Sequence, residues 1–151
     1  MKLKTERLLI RQFGLEDLDD LCEMLGDEQV MKSTGLRTIQ SREQSQKLLR
    51  AWSKDPEIFA VCLSEKLMGW AMLKTRENNQ TELGFMIARQ FWGKGYATEL
   101  AKALCSWSGK DLIAVTDRGN KNSQRVLEKS GFVFKAEKEK SIFYERVKET
   151  L

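Results

Sequence analysis

Two glycines separated by one residue stand between a run that reads as a strand, Thr81–Ile87, and a run that reads as a helix, Tyr96–Trp107. The linking segment is Gln90-Phe91-Trp92-Gly93-Lys94-Gly95, and the helix opens Tyr96-Ala97-Thr98-Glu99-Leu100. Ala97, Leu100, Ala101, Leu104 and Cys105 recur at helical spacing and make one apolar face. A second strand-like run, Leu112–Thr116, follows. Strand, helix and strand in that order form a crossover, which makes the two strands parallel. The helix then begins at the C-terminal edge of the sheet, where ligands bind in such folds. Its first backbone N–H groups have no partner within the helix and carry the positive end of the dipole, so a glycine turn here is a seat for phosphate.

The other elements can be read the same way. Arg7–Phe13 has the residue types of a first strand and ends at Gly14. Leu15, Leu18, Leu21, Cys22 and Leu25 follow at helical spacing, with Glu16, Asp17, Asp19 and Asp20 between them complementing the dipole. Asp27–Leu36 reads as a short helix or loop. Ser41 and Gln44 have capping-box spacing ahead of a helix to about Ser53. Glu57–Leu63 and Leu67–Leu73 form a hairpin around Ser64-Glu65-Lys66, and Arg76–Gln80 is a polar turn before Thr81–Ile87. Asn122–Lys129 is a helix stopped by Ser130-Gly131, and Phe132–Glu137 with Ile142–Val147 closes the chain as a hairpin. This order predicts an α/β (α+β) domain whose sheet is mostly antiparallel, with one βαβ step at the glycine turn.

Composition narrows the chemistry. A chain of 151 residues, 41% hydrophobic and 32% charged, has the make-up of one ordinary soluble domain. No apolar run approaches the roughly 20 residues needed to span a bilayer. Met1-Lys2-Leu3-Lys4 leads into only a short apolar stretch, so the expected location is cytoplasmic, without a membrane. There is no histidine, which excludes Ser-His-Asp and Cys-His mechanisms. Cys22, Cys62 and Cys105 follow no ligand spacing and read as free thiols, so no metal is expected. The net charge of +4 suits a polyanionic ligand. Lys135, Lys138 and Lys140 alternate with Ala136, Glu137 and Glu139, the pattern of a solvated mixed-charge strand, and no nucleic-acid partner is expected.

Three phosphate-binding patterns can be set against the turn. A Walker loop needs Lys followed by Ser or Thr after its second glycine, whereas Lys94 lies between the glycines and Tyr96-Ala97 follow. A dinucleotide fingerprint belongs in the first βαβ unit, not after a three-strand meander. Gln90-x-x-Gly93-x-Gly95 is instead similar to the pyrophosphate signature of the GNAT acyltransferase superfamily. The longer string Phe91–Glu99 resembles its ribosomal-protein N-acetyltransferase-like branch. Thr5-Glu6-Arg7-Leu8-Leu9-Ile10-Arg11 resembles that branch's first strand, and Asn120-x-x-Ser123-x-x-Val126-Leu127-Glu128-Lys129-x-Gly131-Phe132 its second cofactor segment. Together these segments span roughly Thr5 to Phe134.

The resemblance implies a single-domain GNAT fold over residues 1–151, with about six to seven strands and helices on both faces. It implies an acetyl-CoA-dependent N-acetyltransferase acting on a primary amine by direct attack in a ternary complex. The backbone of Gly93, Lys94, Gly95, Tyr96, Ala97 and Thr98 would hold the CoA pyrophosphate. Lys94 would either add charge there or point into solvent. Phe85, Met86 and Ile87 would pair through their backbone with the pantetheine, Asn120 would hydrogen-bond that arm, and Ser123 would lie near the thioester. An amine of pKa roughly 8 to 10 must lose a proton to attack, and Glu82 is the candidate base, since the resemblance puts it on the strand leading to the thioester, where related enzymes often use an acidic residue. The position where many superfamily members carry a tyrosine acid holds Leu127, leaving Ser123 or water for that role. Leu127 also motivates the alternative of a CoA-binding module without turnover. The acceptor is a protein N-terminal amine or a small amine, its wall Met31–Arg37 with the following helix, and the protein a monomer or homodimer.

Overall fold

The computed structural model describes residues 2–34 and 36–149. Its strands are β1 (Lys2–Lys4), β2 (Leu9–Arg11), β3 (Ile58–Leu63), β4 (Lys66–Thr75), β5 (Thr81–Ile87), β6 (Leu112–Asp117), β7 (Val133–Lys138) and β8 (Ser141–Arg146). The helices are α1 (Leu18–Leu25), α2 (Glu28–Thr34), α3 (Arg42–Ser53), α4 (Tyr96–Ser108) and α5 (Lys121–Lys129). All the strands join one sheet in the order β1-β2-β3-β4-β5-β6-β8-β7. Every pair is antiparallel except β5–β6, the pair that α4 links.

The sheet has eight strands rather than six or seven. The expected strand Arg7–Phe13 shrinks to Leu9–Arg11, and Lys2–Lys4 pairs beside it, Leu3 opposite Ile10. A strand of three residues is too short to show a period of two, so β1 leaves no sequence signal. The turn between them closes through Thr5 N–H to Leu8 C=O at 2.9 Å. The remaining expected elements are present with shifted ends.

Side-chain alternation along β3 shows why helices cover both faces. Phe59 and Val61 enter a core with Leu100, Leu104 and Leu127 of α4 and α5. Ile58, Ala60 and Cys62 enter the other, with Leu21, Met24, Val30 and Leu49 of α1 to α3. A strand apolar on both sides is buried between two layers. Along β5, Leu83 and Ile87 join the first core and Met86 the second. At the far edge β7 is exposed along its whole length, with Lys135 beside Glu145, and its charges blunt that edge.

Local chemistry sets the helix starts. The Ser41 hydroxyl accepts the Gln44 N–H at 3.3 Å, as the capping spacing requires. Asp17 does more than complement the dipole of α1. It is buried, accepts the Gly14 N–H at 2.9 Å and takes both ends of the Arg11 guanidinium at 2.8 Å. This bidentate pair ties the turn before α1 to β2, and the Asp17 hydrogen bond holds the Arg11 guanidinium well above its usual pKa. Among the described residues no helix is long and apolar enough to cross a membrane.

Leu104 is fully buried between α4 and the sheet. Leu104→Ala will lower unfolding free energy by about 2–5 kcal/mol in urea titrations. Exposed Lys102→Ala on the same helix will shift it by no more than about 0.5 kcal/mol.

Candidate active site

The parallel pair β5–β6 is short. Only Thr81 with Leu112 and Glu82 with Ile113 are in register, after which the strands part, β5 running on to Ile87 and β6 to Asp117. The cleft between them opens at their C-terminal ends. The glycine turn and α4 follow β5 on one side, and Asn120 with α5 follows β6 on the other.

Several contacts hold the turn. The Trp92 indole N–H donates to Ile87 C=O at 2.7 Å, and the Trp92 amide to Arg89 C=O at 3.1 Å. Phe91 packs against both cores and meets Tyr96 edge-on at 6.3 Å. Gly93 and Gly95 have φ of 77° and 80°. A Cβ on Gly93 would meet nothing within 4 Å, so backbone conformation rather than space selects glycine there. Beyond them the Glu99 N–H closes on Gly95 C=O at 3.1 Å, the first bond into the α4 ladder. Among the described residues the N–H groups of Gly93, Lys94, Gly95, Tyr96, Ala97 and Thr98 make no hydrogen bond. Six adjacent free donors at a helix start form an anion cradle, and such a cradle fits a diphosphate. The Lys94 side chain is exposed, and its carbonyl accepts from Arg7.

A contact that sequence reasoning missed secures α4 to the start of the chain. Glu99 reads from sequence as a structural residue on the polar face, and the structure gives it three donors. They are the Thr5 hydroxyl at 2.5 Å, the Arg7 amide at 2.8 Å and the Arg7 Nε at 2.7 Å. The Arg7 guanidinium also donates to Lys94 C=O at 3.0 Å and lies 4.2 Å from the Tyr96 ring centroid. Burial pushes the Glu99 carboxyl up, but the bonds from Thr5 and Arg7 outweigh it and hold it below the usual carboxylate range. Its contribution to stability is therefore present above the unfolded-state pKa and lost as pH falls through the lower folded value. Thr5 and Arg7 lie within the first-strand resemblance, but only the fold brings them to Glu99.

The cleft walls present the other expected residues unequally. Ala88 N–H donates to Met68 C=O of β4 at 2.8 Å, which sets the strand's parity. The peptide groups of Phe85 and Ile87 face the cleft, and Trp92 takes the Ile87 carbonyl. Met86 turns its backbone to β4 and its side chain into the α1–α3 core. Asn120 caps α5, its Oδ1 accepting the Ser123 N–H at 3.1 Å, and Ser123 is half-buried in that first turn. Glu82 sits at the cleft root, on the α1–α3 side of the sheet, paired with Arg76 Nε at 2.8 Å. Of the expected acceptor wall, Met31 of α2 is a core residue, while Gly35 lies outside the described residues.

No hydroxyl replaces the missing tyrosine from its own position, since Leu127 is buried in the α4–α5 core. Tyr144 is in that core as well, its phenol pushed up by burial and by Glu128. Cys62 and Cys105 are buried thiols whose pKa burial raises, the opposite of an activated nucleophile.

Residues 7–133 match the family model of the acetyltransferase (GNAT) domain. The uncharacterized N-acetyltransferase p20 of Bacillus licheniformis is 28% identical over 120 residues, covering 73% of this chain and 67% of that protein. A GNAT-family acetyltransferase from Bacillus anthracis superimposes with a TM-score of 0.86 at 25% identity, covering 97% of this chain and 98% of its own. RimL, a ribosomal L7/L12 alpha-N-protein acetyltransferase solved with coenzyme A, shares the fold with a TM-score of 0.81 at 12% identity and covers 97% of this chain and 98% of its own. The parted parallel strands, the glycine cradle and a family match over most of the sequence lead to one assignment: this chain belongs to the GNAT acetyltransferase family and is an acyltransferase.

Proposed function

We propose that this chain transfers the acetyl group of acetyl-CoA to a primary amine, either a protein N-terminal α-amine or a small-molecule amine, by direct attack in a ternary complex. The observation that carries the reading is the run of free N–H groups from Gly93 to Thr98 at the mouth of a cleft walled by strand backbone. The cradle would take the CoA diphosphate, and the peptide groups of Phe85 and Ile87 would pair with the pantetheine as an added strand does. Asn120 would hydrogen-bond the same arm from the far wall.

The thioester supplies an activated acyl carbon. The amine nitrogen forms a bond to that carbon, the C–S bond breaks, and its electron pair leaves on sulfur. A free cleft-facing N–H polarises the carbonyl as charge gathers on its oxygen. Glu82, at the closed end where the strands part, would take the proton the amine sheds. A thiol of pKa about 8.5 leaves as thiolate with little help, so Ser123 or water suffices where Leu127 replaces a tyrosine. Cys62 and Cys105 are sealed in the core, and the acyl group passes to the amine directly.

Gly95→Glu will weaken CoA binding at least about 100-fold by isothermal titration, because it sets a charged side chain into the cradle. Gly93→Ala costs only the left-handed backbone strain of about 1–2 kcal/mol, so its loss will be smaller. Unchanged affinity in Gly95→Glu would remove the cradle from the cosubstrate site. Glu82→Gln will lower kcat about 10²- to 10⁴-fold on whichever amine a thiol-release screen identifies, with CoA affinity unaltered. Full turnover in that variant would leave the amine's proton to water alone.

A further inference from the structure

The cradle contains an electrostatic contradiction. Glu99 is the acidic residue of the first turn of α4, directly behind the N–H groups that would bind a diphosphate. A carboxylate there favours the helix, since it complements the dipole, but it repels an anion seated at the same end. We propose that Arg7 is a positioning residue of the phosphate seat, its guanidinium cancelling the Glu99 charge and holding Lys94 and Gly95 in the shape the anion needs. This inference rests on reading the turn as the cosubstrate site.

The geometry supports both halves of the role. Arg7 Nε and the Arg7 amide engage both Glu99 oxygens, at 2.7 Å and 2.8 Å, and the Thr5 hydroxyl shares one of them. These donors draw the carboxylate toward the β1–β2 turn and away from the cradle. Arg7 Nη1 then reaches past Glu99 to the carbonyl of Lys94, the residue between the two left-handed glycines. That bond fixes the peptide joining Lys94 to Gly95. The Tyr96 ring supports the guanidinium at 4.2 Å, and the remaining nitrogen, Nη2, stands 3.5 Å from where a Cβ on Gly95 would be. Among the described residues Nη2 has no hydrogen-bond partner, so one cationic edge is left at the rim of the seat. Lysine could supply the charge but not two directed hydrogen bonds and a ring contact from one planar group.

The full-length protein and its Arg7→Ala, Glu99→Gln and Arg7→Ala/Glu99→Gln variants can be titrated calorimetrically with CoA and with pantetheine, which lacks the diphosphate. Arg7→Ala is expected to weaken CoA about 10- to 100-fold, because it leaves the Glu99 charge uncancelled behind the anion. Pantetheine affinity will stay within about threefold, since no phosphate is at stake. Adding Glu99→Gln to Arg7→Ala will restore most of the CoA affinity, as the repelling charge is then gone. Arg7→Gln, which keeps a hydrogen-bond donor without the charge, will reproduce the loss and serves if the alanine variant does not fold. A double variant as weak as Arg7→Ala, or equal losses for CoA and pantetheine, would overturn the charge-cancelling role. Wild-type protein that binds no CoA would overturn the site reading itself. CoA bound equally well by wild type and Arg7→Ala would overturn only the role of Arg7.

Discussion

Two parallel strands cannot be joined by a tight turn, and the rest of this structure follows from that constraint acting once. In a sheet otherwise built from antiparallel pairs, β5 and β6 run the same way, so the chain between them must cross over one face. Helix α4 is that crossover, and its apolar face, Leu100, Ala101, Leu104 and Cys105, covers the sheet. Its N-terminus lies beside the C-terminal end of β5. The short register of β5 with β6 leaves strand backbone unpaired beside that terminus. A run of free N–H groups at a helix start and an unpaired strand edge thus arise from a single connection.

Folding and binding make opposing demands on the first turn of α4. The helix gains from an acid there, whereas the proposed ligand is an anion. The two demands are reconciled from outside the crossover, by a turn at the other end of the chain that brings Thr5 and Arg7 to Glu99. The short hairpin of β1 and β2 delivers that turn, which brings the outermost edge of the sheet into contact with the glycine turn.

Periodic segments were legible in the sequence because burial writes itself into spacing. The apolar stripe of α4, the capping serine of α3 and the central meander are present where pattern places them. What pattern could not show were elements shorter than its period and pairs distant in the chain. Strand β1 is of the first kind. Asp17 is of the second, since an acid in a helix-starting sequence reads as complementing the dipole until Arg11 is found against it. The site divides likewise. Gly93 and Gly95 declare themselves because only glycine adopts their backbone angles without strain. Which of Phe85 and Met86 turns its peptide group to the cleft is decided by the pairing with β4.

By itself the sequence determined the crossover, the glycine turn and the family, because these rest on local spacing and on residues whose conformational range is narrow. Tertiary structure alone decided where β5 and β6 separate, which strand peptides stay free, that Leu127 is sealed in the core, and that Arg7 meets Glu99. Those are matters of register and of contacts between residues up to 94 positions apart. The physical reason is that a contact's partner is chosen by the packing of the whole sheet, and no local pattern records that choice.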